Sequence, residues 1–284
     1  MSSPQQVGVI GAGQMGTGIA QVFAQSGFSV FLVDAKPVQL AQAEAGITAS
    51  ARRLHEKGKI DAAAYERVQS QIRYETQLSS LQACDWIIEA IVEQEAAKGE
   101  LFRDLDGIVQ PEAIFATNTS SIPITRLASY TQRRDRFIGM HFMNPVPIMK
   151  LVEVIAGLET SESTLQRTLK TVALLQKEAA CSKDYPGFIV NRILMPMINE
   201  AFCALQEGLG TAQDIDKGMK LGTNQPMGPL ELADFIGLDT CLSIMNVLFQ
   251  GMGDPRYRPS PLLRQYVDAG RLGRKTKRGV YMYA

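Results

Sequence analysis

Five short apolar runs punctuate the first half of the chain: VGVI at 7–10, SVFLVD at 29–34, DWIIEA at 85–90, AIFAT at 113–117 and FIGMHF at 137–142. They are brief and rich in β-branched and aromatic residues, the pattern of strands buried on both faces. Helix-length segments separate them, notably 15–25, 38–57 and 95–109. Strand and helix in alternation predict an α/β domain with a doubly wound, mostly parallel sheet. KLVEVIAG at 150–157 reads as one more strand, and 162–178 as the helix after it. The pattern changes near Tyr185-Pro186-Gly187. Beyond it Ile189, Ile193, Met197 and Phe202, with Leu194, Ile198 and Leu205, recur at helical spacing. Segments 212–220, 230–235, 239–249 and 261–268 also read as helices, set apart by Gly- and Pro-rich turns. The chain therefore divides into an α/β domain over 1–185 and a smaller all-helical domain over 186–284.

Composition narrows the function classes. The 284 residues are 45% hydrophobic and 20% charged, with 29 Lys plus Arg against 29 Asp plus Glu. Such a chain folds, and it lacks the basic excess of a general nucleic-acid binder. No charge occurs from Ser2 to Val33, yet Gln14, Thr17, Gln21, Gln25, Ser26 and Ser29 break that stretch. It holds no continuous apolar run of about 20 residues and no basic n-region, so neither a membrane span nor a secretory signal is read there. Cys84, Cys181, Cys203 and Cys241 lack CxxC spacing, which argues against a zinc site or disulfide scaffold. A soluble, cytoplasmic protein without a metal is expected.

Gly11-Ala12-Gly13-Gln14-Met15-Gly16 fits G-x-G-x-x-G between an apolar run and a helical segment, the context of a Rossmann-type dinucleotide site. Gly11 permits the tight turn, Gly13 lets the backbone approach a pyrophosphate, and Gly16 lets helix and strand pack closely. The backbone N–H groups of Gln14 and Met15, at the helix start, face the anion. Asp34 ends the next strand, where a carboxylate accepts from ribose hydroxyls and repels a 2′-phosphate. The expected cofactor is NAD.

Further motifs follow in order: ATNTSS at 116–121, RFIGMHFMNPVP at 136–147, KLVEVI at 150–155, PGFIVNR at 186–192, MKLG at 219–222 and PMGP at 226–229. With the glycine loop and Gly273-Arg274-Lys275-Thr276, they make the chain resemble the 3-hydroxyacyl-CoA dehydrogenase family from end to end, above all its short bacterial members acting on 3-hydroxybutyryl-CoA. The resemblance implies an NAD-binding domain followed by a helical substrate and dimerisation domain. It also implies oxidation of an (S)-3-hydroxyacyl-CoA to the 3-ketoacyl-CoA, and a homodimer. Met195, Met197, Ile198, Phe202 and Leu205 crowd one helix and are the expected dimer surface.

Oxidising a secondary alcohol requires a base for the hydroxyl proton, a role suited to histidine. There are two, His55 in a charged helical stretch and His141 at the end of an apolar strand. On residue types alone His141 is either a structural residue or a base; the resemblance makes it the base. Glu153, an acid within an apolar run, either points to water from an edge strand or meets a buried partner. By resemblance that partner is His141. By resemblance too, Ser120 and Asn191 line the reacting oxygen, with Ser120 also touching the cofactor. Glu93, Lys98, Asn144 and Lys275 are further implied cofactor contacts, and Ser50 and Lys57 implied CoA contacts. The chain departs from the family pattern at Phe142-Met143, where two aromatics are common, and at Gln225, where histidine is common. Met143 bears on acyl chain length. Two rival readings are a sugar-acid dehydrogenase of the L-gulonate type and a catalytically silent NAD-binding structural protein.

Overall fold

The computed structural model describes residues 5–284, which divide into two compact units, 5–185 and 186–284. In the first unit a strand β1 (Gln6–Ile10) leads through the glycine loop into helix α1 (Gln14–Gln25) and back to β2 (Ser29–Val33). Helices α2 (Pro37–Glu56) and α3 (Ala62–Ser70) precede β3 (Ile72–Glu75). Next come β4 (Trp86–Glu89), α4 (Glu95–Ile108), β5 (Ile114–Thr117), the short α5 (Ile124–Ala128) and β6 (Phe137–Phe142). The unit ends with β7 (Leu151–Ala156), α6 (Glu162–Leu174) and β8 (Glu178–Lys183).

The strands form one sheet in the order β3-β2-β1-β4-β5-β6-β7-β8. All neighbours are parallel except β6 and β7, which run antiparallel. Every residue of β4, β5 and β6 is buried, as the predominantly apolar sequences of strands covered on both faces lead one to expect. The chain order reverses between β2 and β4 across β1, which makes the crevice beyond the carboxyl ends of these strands the natural ligand site.

Two strands escaped the pattern reading, and both lie at the ends of the sheet order. β3 (IRYE) and β8 (EAACSK) are largely exposed or half-buried. An edge strand with a solvated face carries charge instead of an apolar run. The helix expected over 162–178 stops at Leu174, and the end of that segment opens β8. Gln176 adopts a left-handed φ of 56°. Its N–H donates to the Ala173 carbonyl at 3.0 Å and that of Lys177 to Val172 at 3.2 Å. This is a Schellman stop built without its usual glycine, so no glycine announced it.

The second unit is helical: α7 (Val190–Gln206), α8 (Ala212–Gly222), α9 (Pro229–Ile236), α10 (Leu238–Met252) and α11 (Pro261–Asp268). Met195, Ile198 and Phe202 are 1%, 1% and 0% exposed and pack with Leu230, Leu238 and Met245. This corrects the expectation of a dimer surface on that stripe: these three side chains are internal core. Asp216 on α8 accepts from the N–H groups of Leu230 (2.8 Å) and Glu231 (2.9 Å), capping α9. A Cβ at Gly228 would lie 2.3 Å from Asp216, so the PMGP turn keeps glycine there to admit the cap. No single helix among the described residues is long and apolar enough to cross a membrane.

Candidate active site

The glycine loop divides its labour as the motif requires. Gly11 has φ +101°, and a Cβ on it would meet the Ala90 carbonyl oxygen at 2.6 Å. A Cβ on Gly16 would stand 1.8 Å from the Gly11 carbonyl oxygen. A Cβ on Gly13 would meet nothing within 4 Å. Two glycines thus exist for packing, while the third opens on space that a phosphate can enter. Among the described residues no side chain caps α1, which leaves its first-turn N–H groups, at Gln14 and Met15, to serve an anion. The Asp34 carboxylate at the end of β2 accepts from the Ala12 N–H at 2.9 Å and the Lys36 N–H at 2.9 Å. Its charge is thereby held beside the loop. These features fit NAD.

His141 and Glu153 meet because β6 and β7 pair antiparallel with these two residues directly opposite. The His141 Nδ1 lies 2.7 Å from Glu153 Oε2. His141 is 8% exposed and Glu153 0%, so the carboxylate is no solvent-facing edge residue. With Nδ1 donating to Glu153, Nε2 becomes the basic ring nitrogen.

Ser120 lies in the loop after β5, next to β6. Its N–H donates to Glu93 Oε1 at 2.9 Å, and the hydroxyls of Thr119 (2.6 Å) and Ser121 (2.9 Å) converge on the same oxygen. Asn118 ties this loop to the histidine strand by accepting from the Phe142 N–H at 2.9 Å. Lys98, on the first turn of α4, is only 1% exposed. Its ammonium lies 2.5 Å from Glu89 and 3.2 Å from Glu93. Burial pushes the Glu93 carboxyl up, but the Lys98 charge and the donors from Thr119, Ser120 and Ser121 prevail and hold it below its ordinary value. At Glu89 burial prevails and raises the carboxyl's pKa, with Lys98 and Thr117 pulling against it.

Asn144 accepts from the Gln14 side chain at 3.1 Å, joining the loop after β6 to the start of α1. A groove of about 350 Å³ runs past this junction, lined by Gly13, Gln14, Asn144 and Ser50 of α2. Lys57 caps the far end of the same helix, about 10 Å further along at 1.5 Å per residue. In the second unit, Asn191 is buried in the first turn of α7, where asparagine disturbs a helix least. Lys275 pairs with Asp239 at 2.6 Å. The sequence reading missed Glu89, Thr117, Asn118 and Thr119. The available signal at Glu89 is akin to that at Glu153: an acid attached to an apolar run, here at its end.

Family models match both parts of the chain: "3-hydroxyacyl-CoA dehydrogenase, NAD binding domain" over residues 6–185 and "3-hydroxyacyl-CoA dehydrogenase, C-terminal domain" over 187–283. The chain belongs to the 3-hydroxyacyl-CoA dehydrogenase family. Within that family, a probable 3-hydroxybutyryl-CoA dehydrogenase of Deinococcus radiodurans is 56% identical over 97% of this chain and 99% of its own. The 3-hydroxybutyryl-CoA dehydrogenase of Bradyrhizobium diazoefficiens is 53% identical over 98% of this chain and 95% of its own. Among solved structures, the (S)-3-hydroxybutyryl-CoA dehydrogenase of Ralstonia eutropha superposes with a TM-score of 0.96 at 50% identity, over 99% of this chain and 100% of that one. The glycine loop and Asp34 are thus features of an NAD-binding domain of this dehydrogenase family.

Proposed function

We infer that this chain interconverts (S)-3-hydroxybutyryl-CoA and acetoacetyl-CoA with NAD, and that the His141–Glu153 pair carries the proton transfer. The observation that bears most weight is this buried pair at 2.7 Å, on the sheet whose glycine loop fits a dinucleotide. NAD, when bound, supplies the acceptor for the hydrogen that leaves the carbinol carbon with its electron pair. His141 Nε2 takes the hydroxyl proton as that C–H bond breaks. Glu153 holds the ring in the productive tautomer and stabilises the imidazolium that forms, as a third group does for any histidine base. In the reverse direction the imidazolium returns the proton to the ketone oxygen.

Ser120 and Asn191 donate to the reacting oxygen and are too weakly basic to compete for its proton. Gly11, Gly13, Gln14, Met15 and Gly16 cradle the pyrophosphate, Asp34 takes the ribose, and Asn144 and Lys275 add cofactor contacts. Lys98, enclosed by two carboxylates, serves the cofactor through Glu93. Ser50 and the ammonium of Lys57 meet the CoA carrier along α2. The enzyme works as a homodimer through the second unit, where Met197, Ala201, Ala204, Leu209, Ile215 and Met219 line an apolar groove of about 490 Å³. The four cysteines are all free thiols, which supports residence in a reducing cytoplasm.

The deciding experiment follows NADH consumption with acetoacetyl-CoA. Rapid turnover is expected with the CoA thioester and little with free acetoacetate. Equal turnover of a free oxo acid would favour a sugar-acid type of dehydrogenase, and NADH binding without turnover a silent binding protein.

A further inference from the structure

The Glu89 carboxylate takes no part in the chemistry above, yet it is wholly buried at the C-terminal end of β4. Both oxygens are engaged. Oε1 accepts from the Ile91 N–H at 2.7 Å and from the Lys98 ammonium at 2.5 Å. Oε2 accepts from the Thr117 hydroxyl at 2.6 Å. Each partner leads to the same loop. The Lys98 ammonium passes from Glu89 to Glu93 Oε2, and the other Glu93 oxygen collects Thr119, Ser120 and Ser121. The Thr117 hydroxyl accepts from the Thr119 N–H at 3.2 Å. The Thr119 hydroxyl accepts in turn from the N–H groups of Ser121 (3.3 Å) and Ile122 (2.9 Å).

A buried ion pair of this kind is a poor source of stability, because well-packed apolar residues of similar volume serve as well or better. It supplies direction instead. Lys98 carries one charge shared by two carboxylates, and without Glu89 the ammonium would be free to swing wholly onto Glu93 and drag its position. We propose that Glu89 is a positioning residue, which acts through Lys98 and Thr117 to fix the loop that presents Ser120 to the substrate. The functional consequence rests on the reading of Ser120 as a substrate contact.

Two readouts on the 284-residue chain separate the proposal from that reading. In Glu89→Gln, amide hydrogen exchange at Ser120, Ser121 and Ile122 is expected to quicken while exchange within β5 stays as in the wild type. Unchanged exchange in the loop, or an equal increase throughout β5, overturns the positioning role. For function, kcat is measured for Glu89→Gln, Ser120→Ala and the double variant. Glu89→Gln should lower kcat by roughly tenfold, the size of one charge-assisted hydrogen bond, and should lower it no further once Ser120 is alanine. An equal loss in both backgrounds means that Glu89 acts elsewhere and refutes the coupling. A wild-type kcat in Ser120→Ala, with faster loop exchange in Glu89→Gln, sinks the reading of Ser120 and leaves the positioning intact. Should Glu89→Gln not fold, Thr117→Val removes the Oε2 donor at nearly constant volume and enters the same cycle. Thr117→Ser, which keeps the hydroxyl, should then restore both readouts.

Discussion

Replacing Glu153 with glutamine exchanges one oxygen for an NH2 group and removes one charge at a position that is 0% exposed, so the shape of the site is kept. What changes is the partner that His141 Nδ1 meets at 2.7 Å. During oxidation the ring gains a positive charge. A carboxylate stabilises that charge by a charge-assisted bond, worth roughly 1.5–3 kcal/mol against about 1 kcal/mol for a neutral one. A difference of roughly 0.5–2 kcal/mol at 1.36 kcal/mol per decade is about 2- to 30-fold in kcat. A second effect adds to this. If the new amide donates to Nδ1, the proton moves to Nε2 and the base faces the wrong way, for which the loss approaches about 10⁴-fold in the serine-protease triad. The expected fall in kcat therefore lies between about 2- and 10⁴-fold. Alanine at 153 removes the charge without supplying an amide donor, so it separates the two effects. The glycine loop belongs to a different strand–helix unit, so NADH affinity should stay near wild type. The assay is steady-state NADH consumption with acetoacetyl-CoA, beside an NADH titration and a melt followed through the single Trp, Trp86, buried in β4. A Glu153→Gln enzyme with the same kcat as the wild type would refute the orienting role. So would a loss confined to NADH binding.

The glycine loop yields opposite outcomes at neighbouring positions. Gly16→Ala forces a Cβ to 1.8 Å from a backbone oxygen and should destabilise by about 1–3 kcal/mol or more in a thermal melt. Gly13→Ala meets nothing and should leave the melt within about 0.5 kcal/mol, because the gain from stiffening the unfolded chain offsets a poorer helix cap. NADH affinity measured by titration should nevertheless fall in Gly13→Ala. For cofactor choice, kcat/KM should strongly favour NADH over NADPH, and Asp34→Ala should narrow that ratio; parity in the wild type would overturn the role of Asp34. For acid stability, Glu93 has a folded pKa below its ordinary 4.5, so the stability it contributes is present above 4.5 and is lost as pH falls through the folded value. Trp86 fluorescence should show the first unit weakening below 4.5, and Glu93→Gln should flatten that limb. Light scattering should report a dimer, and Leu209→Asp on the exposed rim of the apolar groove should shift it towards monomer.

Much of this protein is written in local pattern. Strands buried on both faces must be continuous apolar runs, so β1, β2, β4, β5, β6 and β7 stand out in the sequence. A backbone that must admit a phosphate must be glycine at defined steps, so the loop at 11–16 is legible without coordinates. His141 could be singled out because one of only two histidines closes an apolar strand. The antiparallel register that sets Glu153 opposite His141 depends on how two strands pair across the connection at 143–150, and no local signal carries it. Edge strands β3 and β8 keep a solvated face and lose the apolar signature. The end of α6 was hidden because Gln176 occupies a left-handed position usually marked by glycine. The methionine-rich stripe on α7 looked the same whether it faced a partner or the chain's own core; only packing against α9 and α10 made Met195, Ile198 and Phe202 core. Glu89 closes an apolar run and Lys98 looks like an ordinary first-turn charge; only the tertiary structure buries both and turns a carboxylate and an ammonium towards one another. Sequence pattern thus determined what each segment forms by itself, while the meeting of distant polar groups, which depends on register and burial, was decided by the tertiary structure.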